Sequence, residues 1–596
     1  MFSFSRYFLL AFFLGSLPLS AQAQFIFPDL TPSHATIVLS VPDAGNAWHS
    51  FAQTPLHGVL EQASDAVGLT FTKHQATPAG GALEQKLFFG GMVSSMELSV
   101  LPDEGKGGGA GFLWVGTMCN APELRNFFQN AEREILARST GANKNITRSV
   151  ESIGNTALTF LTDSEGSIGW ALNGPRNLCA VSNKPDTLRQ AARAMEAPSR
   201  LMDAQSLTSF TEVSRAWQTL VSATPGVSYD LRFFLPPPRA FLAKSLPAQE
   251  GLRALDPLLN TLQPRGGMAG GIRFTPDAIR LDSFALYPVE RENLIRQLYA
   301  SASPVSSLPG SEFVQPDALL WSGNSLFAPS LLKRYVASLL ERWSTALSQP
   351  GKATSPPSET VQANLKRMRD CLVDPDFFAE LGPQWFFSVN RFEYGAAGEF
   401  PRIDFLLGFQ TRQPEATQTR VVALEKDLQT AIQQWQSTRG DVSQPPQLER
   451  QDIMVKGTPV TLHTFGLPQL PPQVQPTWTV THDQLLFALT SNTLRAALER
   501  NGTADDALVA ARNRLGMQQA HAFQVLRPGH AARIIAALAD ALAGTKRDPA
   551  PNPRVALLTA SLESIPTILL FRKGSADGVH TAGEIQMNPM KKKTPQ

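Results

Sequence analysis

The sequence predicts an α+β fold built by tandem duplication, each copy a mainly antiparallel sheet covered by helices on one face. Three observations point there. Residues Ser167–Ser182 lie over Gln475–Thr490 without a gap, at a constant offset of 308, so Trp170 falls on Trp478 and Ala180 on Ala488. Both stretches alternate at period two around a tight polar turn, Asn173-Gly174-Pro175 or His482-Asp483, as hairpins do. Helical patterns interrupt runs of hairpins, which favours an antiparallel layer structure over a doubly wound parallel sheet.

The elements follow in order. Arg6, the apolar run Tyr7–Gly15 and the small-x-small triplet Ala21-Gln22-Ala23 read as a signal peptide over residues 1–23, with a mature start near Gln24. Nine apolar residues are too few for a helix to cross a hydrocarbon layer of about 30 Å. The first repeat spans 24–300. It opens with strand Thr36–Val41 and a helix from Asp43, and continues with strand Gly111–Gly116. A helix then begins at Asn120, with Pro122 and Glu123 in its first turn and Leu124, Phe127, Phe128, Ala131 and Ile135 as its stripe. After the 167–182 hairpin come a helix carrying Thr187-Leu188-Arg189, strand Tyr229–Leu235 and a hairpin around Asp277.

A Ser- and Pro-rich join, 301–317, precedes the second repeat, 318–588. Its matching elements are strand Ala318–Trp321, helix Ser330–Trp343, strand Ile403–Gly408, helix Glu415–Trp435, the 475–490 hairpin, strand Ala522–Leu526 and a last hairpin around Asp577. Offsets drift while order persists, as loop insertions leave them. Residues 589–596 form a basic tail containing Lys591-Lys-Lys593.

Length and charge exclude several classes. A chain of 596 residues suffices for more than one core. With 53 basic and 51 acidic side chains the formal charge is +2, which gives no field for nucleic acid. Beyond the leader no window reads as a transmembrane anchor. Cys119, Cys179 and Cys371 are sparse for an exported chain; Cys119 and Cys179 sit in strand-like runs and read as buried small hydrophobes, a bridge being the alternative.

Catalytic patterns are few. Nine histidines include no pair at metal-ligand spacing, and no Cys-x-x-Cys occurs, so neither metal nor cofactor is expected. His482-Asp483 reads as turn chemistry. Glu104–Gly111 leads into a strand-like run, not a helix, so its glycines read as a hairpin connection instead of a dinucleotide loop. Ser330-Leu-Leu-Lys333 is a Ser-x-x-Lys at a helix start, where a lysine of lowered pKa would take the serine proton. The accompanying Lys-Thr-Gly strand is missing; Lys456-Gly457-Thr458 scrambles it. Trp170 and Trp478 read as core residues of equivalent strands, with stacking on a sugar or peptide as the alternative.

The string Ser33–Asp43, followed by Trp48 and Thr54-Pro55-Leu56, resembles an uncharacterised family of large exported bacterial proteins carrying a domain of unknown function. The resemblance implies an envelope location and no assigned activity. The expected function is a non-enzymatic binding or scaffold protein of the periplasm or extracellular space, with an envelope protein or a hydrophobic or peptide ligand as partner. The alternative is a periplasmic serine-type hydrolase using Ser330 and Lys333.

Overall fold

The computed structural model describes residues 26–27, 30–32, 35–55, 57, 92–102, 110–141, 145–164, 166–196, 204–237, 265–288, 293–305, 307–331, 379–393, 402–439, 447–466, 474–500, 506–532, 559 and 562–588. The strands, in chain order, are β1 (Ile37–Val41), β2 (Val93–Leu101), β3 (Gly111–Met118), β4 (Thr147–Ile153), β5 (Thr156–Thr162), β6 (Ser167–Asn173) and β7 (Leu178–Ser182). Then come β8 (Leu231–Leu235), β9 (Met268–Phe274), β10 (Ala278–Leu286), β11 (Leu320–Asn324), β12 (Leu381–Glu393), β13 (Arg402–Thr411) and β14 (Gln447–Val455). The last are β15 (Thr458–Gly466), β16 (Thr477–Val480), β17 (Gln484–Ala488), β18 (Ala522–Leu526), β19 (Thr567–Gly574) and β20 (Gly578–Gln586). The helices are α1 (Ala44–Ala52), α2 (Ala121–Gly141), α3 (Pro185–Glu196), α4 (Ala204–Ala223), α5 (Leu294–Ser301), α6 (Pro414–Arg439), α7 (Ser491–Glu499) and α8 (Asp506–Arg514).

The chain forms two compact units. The first comprises Met1–Leu246, Gln263–Val289 and Asp577–Gln596; the second comprises Pro247–Leu262 and Glu290–Ala576. The final strand, β20, therefore belongs to the first unit.

In the first unit the strands pair in the order β4-β5-β6-β7-β3-β2-β1-β8-β9-β10-β20, antiparallel throughout. In the second unit the order is β14-β15-β16-β17-β13-β12-β11-β18-β19, again antiparallel. The mixed helix-and-strand class with a large antiparallel sheet is as the sequence predicts.

Helix starts follow local chemistry. Asp43 Oδ1 accepts the Asn46 N–H at 2.9 Å to cap α1, and Asn120 Oδ1 accepts the Glu123 N–H at 3.2 Å to cap α2. Thr490 caps α7 through the Thr493 N–H at 3.1 Å.

Helices lie against both faces of the first sheet, which corrects the expected cover on one face. Neighbouring residues of a strand point to opposite sides. On β3, Trp114 and Met118 pack with Leu124, Phe127 and Phe128 of α2, whereas Leu113 and Val115 pack with Leu188, Ala191 and Met195 of α3. Further along, Val213, Ala216, Trp217 and Leu220 of α4 pack on Phe234, Ala269, Phe284 and Leu286. In the second unit Val421 of α6 packs with Leu381, Phe465, Trp478 and Leu485.

Candidate functional site

Ser330 is exposed, just after Pro329 in a helical turn at 329–331. Lys333 lies outside the described residues, so no Ser330–Lys333 geometry is on view. Cys119 is exposed and Cys179 buried, and both are free thiols. Cys179 Sγ donates to the Gly116 carbonyl at 3.4 Å, and burial pushes that thiol well up from its usual range. Cys371 and the glycine-rich 104–109 stretch lie outside the described residues, although β2 and β3, which flank that stretch, do pair as a hairpin. The His482-Asp483 segment is a tight turn, closed by the Thr481 N–H on the Gln484 carbonyl at 2.8 Å. Among the described residues no group of three or more His, Cys, Asp or Glu side chains is arranged to hold a metal.

The paired tryptophans are core residues. Trp170, 6% exposed, stacks on Phe128 of α2 with centroids 5.4 Å apart and planes at 10°. Trp478, 8% exposed, faces α6. There the apolar stack is replaced by ionisable groups. The Trp478 indole N–H donates to Glu425 Oε1 at 2.7 Å, and the Arg450 guanidinium donates to Glu425 Oε2 at 3.1 Å. His463, opposite Trp478 in the β15–β16 ladder, stacks on its ring with centroids 6.1 Å apart. Its Nδ1 lies 2.9 Å from Glu425 Oε1, off the line that a hydrogen bond needs, and its Nε2 meets the Gln418 amide at 3.3 Å.

Local sequence explains the arrangement. β14 and β15 pair so that Arg450 stands opposite His463, and α6 lays Gln418 and Glu425 over that row. Burial holds the imidazole below its ordinary pKa, outweighing the attraction of Glu425, with Arg450 acting in the same direction as burial. A neutral imidazole beside a carboxylate has the make-up of a general base with its orienting acid. Here, however, its second ring nitrogen meets an amide and not a hydroxyl, so the pair ties α6 to the sheet.

Further buried carboxyls, Asp282, Glu97 and Glu584, lie in the first unit. Asp282 of β10 is fully buried and takes Arg280 in a fork, Nε at 2.6 Å and Nη2 at 3.1 Å, with His580 Nε2 at 3.8 Å. Burial raises its pKa, but His580 and Arg280 prevail and hold it below the usual range. The nearby Tyr229 hydroxyl shares a 3.1 Å hydrogen bond with Thr224, and burial pushes that phenol up. Glu97 of β2, 2% exposed, contacts the Thr31 hydroxyl.

Sequence reasoning missed Glu97, Asp282, Glu425 and His463. The usable signal for Asp282 was its place among Ile279, Leu281 and Phe284 on a strand buried along most of its length.

No protein-family model matches this chain, and no curated protein matches it. Among solved structures it is similar to TP0453 in crystal form I, at 12% identity, over 46% of this chain and 86% of that one, with a TM-score of 0.23. A likeness of that size carries no argument about fold or function.

Proposed function

We propose that this is an exported envelope protein, a non-enzymatic binding scaffold made from two copies of one α+β unit and akin to the uncharacterised exported family it resembles. The observation that carries the reading is the order of strand pairing. Reading β4-β5-β6-β7-β3-β2-β1-β8-β9 against β14-β15-β16-β17-β13-β12-β11-β18-β19 matches each strand with one ten places further on. The long helix follows the third strand in both, and Trp170 and Trp478 lie on matched strands facing it. The β4–β5 and β14–β15 turns are both two residues long, with left-handed backbone at Gly154, Lys456 and Gly457.

Binding is favoured over catalysis because Glu425 and Asp282 each spend both carboxylate oxygens on partners inside the fold. A peptide is a suitable ligand. Among the described residues β4 pairs only with β5 and β14 only with β15, so each leaves one ladder edge for an extended strand. Val150 on β4 is 53% exposed and Met454 on β14 is 66% exposed.

Two measurements test the reading. Protein recovered from the periplasmic fraction of an expression host should begin at Gln24 by intact mass and N-terminal sequencing; a retained leader in the cytosol contradicts export. A fluorophosphonate probe should leave the protein unlabelled. Labelling that Ser330→Ala abolishes would replace the scaffold by the serine hydrolase.

A further inference from the structure

We propose that the β14 edge of the second unit is a dimerisation edge, where β14 pairs antiparallel with β14 of a second copy of this chain about a two-fold axis at Gln451. The inference rests on the scaffold reading with its open ladder edges, and it names the partner of one of them. Among the described residues β14 pairs only with β15, over nine consecutive residue pairs without a register shift. Its sequence, Gln447-Leu-Glu-Arg-Gln-Asp-Ile-Met-Val455, holds neither proline nor lysine, and most of its side chains are exposed. A regular edge of that length without bulge, proline or lysine lacks the devices that keep sheet edges from pairing with another chain.

Symmetry sets the register. A two-fold axis perpendicular to the sheet keeps every side chain on its own face, so residues that meet across it share a face and the axis passes through a residue. Alternate residues of a strand share a face. Leu448, Arg450, Asp452 and Met454 therefore lie on one side of β14, the side on which Arg450 reaches Glu425 of α6. With the axis at Gln451, Arg450 stands opposite Asp452 of the second copy, and Leu448 opposite Met454, each pair occurring twice. An axis at Glu449, Arg450 or Asp452 sets a charge against its own copy, and one at Ile453 sets Asp452 against Met454. Opposite charges and apolar pairs facing each other across a ladder stabilise it, whereas like charges oppose it. Gln451 is thus the centre that satisfies both charges.

Both charged side chains reach solvent. Arg450 keeps 53% of its side chain exposed while its Nη2 holds Glu425. Asp452 is exposed and uses Oδ1 for the Thr461 hydroxyl at 2.7 Å. Met454, 66% exposed, gains an apolar neighbour in Leu448 of the second copy. The other open edge, β4, does not offer this match. Its Arg148 and Glu151 face opposite sides of the sheet, toward Glu132 of α2 and Arg189 of α3, so no two-fold axis sets one against the other.

The test is sedimentation velocity on the purified full chain, joined to site-specific cross-linking. The unmodified protein should pass from monomer to dimer as its concentration rises from about 1 to about 100 μM. Asp452→Lys sets a second cation against Arg450 at both symmetric positions and should weaken the dimer on the order of tenfold. Gln451→Cys places a thiol at the axis, where facing Cα atoms lie about 4.5–5.5 Å apart, within disulfide reach. On mild oxidation it should give a covalent dimer above the background of the unmodified protein. Glu449→Cys, about 14 Å from its own copy in this register, should not. A chain still monomeric at about 100 μM, an unweakened dimer in Asp452→Lys, or equal cross-linking at 449 and 451 overturns the β14 pairing. None of these outcomes bears on export or on probe labelling, by which the scaffold reading itself stands or falls.

Discussion

Trp478 donates its indole N–H to Glu425 Oε1 across 2.7 Å, while Trp170, on β6 of the first unit, stacks on Phe128 at 5.4 Å. Under the duplication reading, one ancestral helix–sheet contact has diverged into an ionic tie in one copy and an aromatic stack in the other. The two solutions differ in how they fail. An aromatic stack loses contact area when truncated, whereas a buried ion strands its partners.

Glu425→Ala should therefore be costly. It leaves the buried Trp478 indole without its acceptor, a loss of about 1–3 kcal/mol, while the half-exposed Arg450 guanidinium returns to water. Glu425→Gln keeps an acceptor for the indole and should cost about half as much. Urea denaturation followed by tryptophan fluorescence measures both, and equal costs would contradict an ionic tie.

His463 should make the second unit sensitive to acid. Its pKa is depressed by burial, so the unfolded chain binds a proton near 6.5 while the folded chain does not. Stability then falls as pH drops below that value and stops falling once the folded imidazole is also protonated. His463→Phe keeps a ring on Trp478 but cannot titrate, and should flatten the urea midpoint between pH 7.5 and pH 5.

Phe386 is wedged between glycines. A Cβ on Gly310 would come 2.3 Å from its ring and one on Gly408 2.2 Å, and Gly310 also holds φ at +81°. Gly408→Ala should cost about 1–3 kcal/mol by overpacking, and Gly310→Ala roughly 1 kcal/mol more through its left-handed backbone. Thermal denaturation of the two variants checks the order.

Asp282→Ala in the first unit should destabilise by about 3–5 kcal/mol, because it leaves Arg280 three-quarters buried without its fork. The double substitution Asp282→Leu, Arg280→Met should recover most of that loss, since an apolar pair leaves no stranded charge. A double variant no better than the single one would contradict this.

Much of the fold was legible because hairpins advertise themselves locally. The period-two runs around Asn173-Gly174 and His482-Asp483, and the caps at Asp43 and Asn120, all follow from short-range chemistry. The cover on both faces was not legible: α2 and α3 reach β3 from opposite sides, and alternation on the outer strands masked the near-continuous burial of Gly111–Met118. Glu97 sits in Ser95-Met-Glu-Leu-Ser99, where nothing local marks it as buried; Thr31, more than sixty residues earlier, contacts it. Glu425 likewise looks like any carboxylate on a polar helix until the β15–β16 ladder brings Trp478 beneath it.

The proposed duplication, on which the scaffold reading rests, is tested most directly by a crystal structure of the purified protein, with residues 24–300 superposed on 318–588. The account predicts that β1–β10 fall on β11–β20 strand by strand, with Trp170 and Trp478 on matched strands, facing α2 and α6. Indoles that land on unmatched strands, or on opposite faces of matched ones, would contradict it.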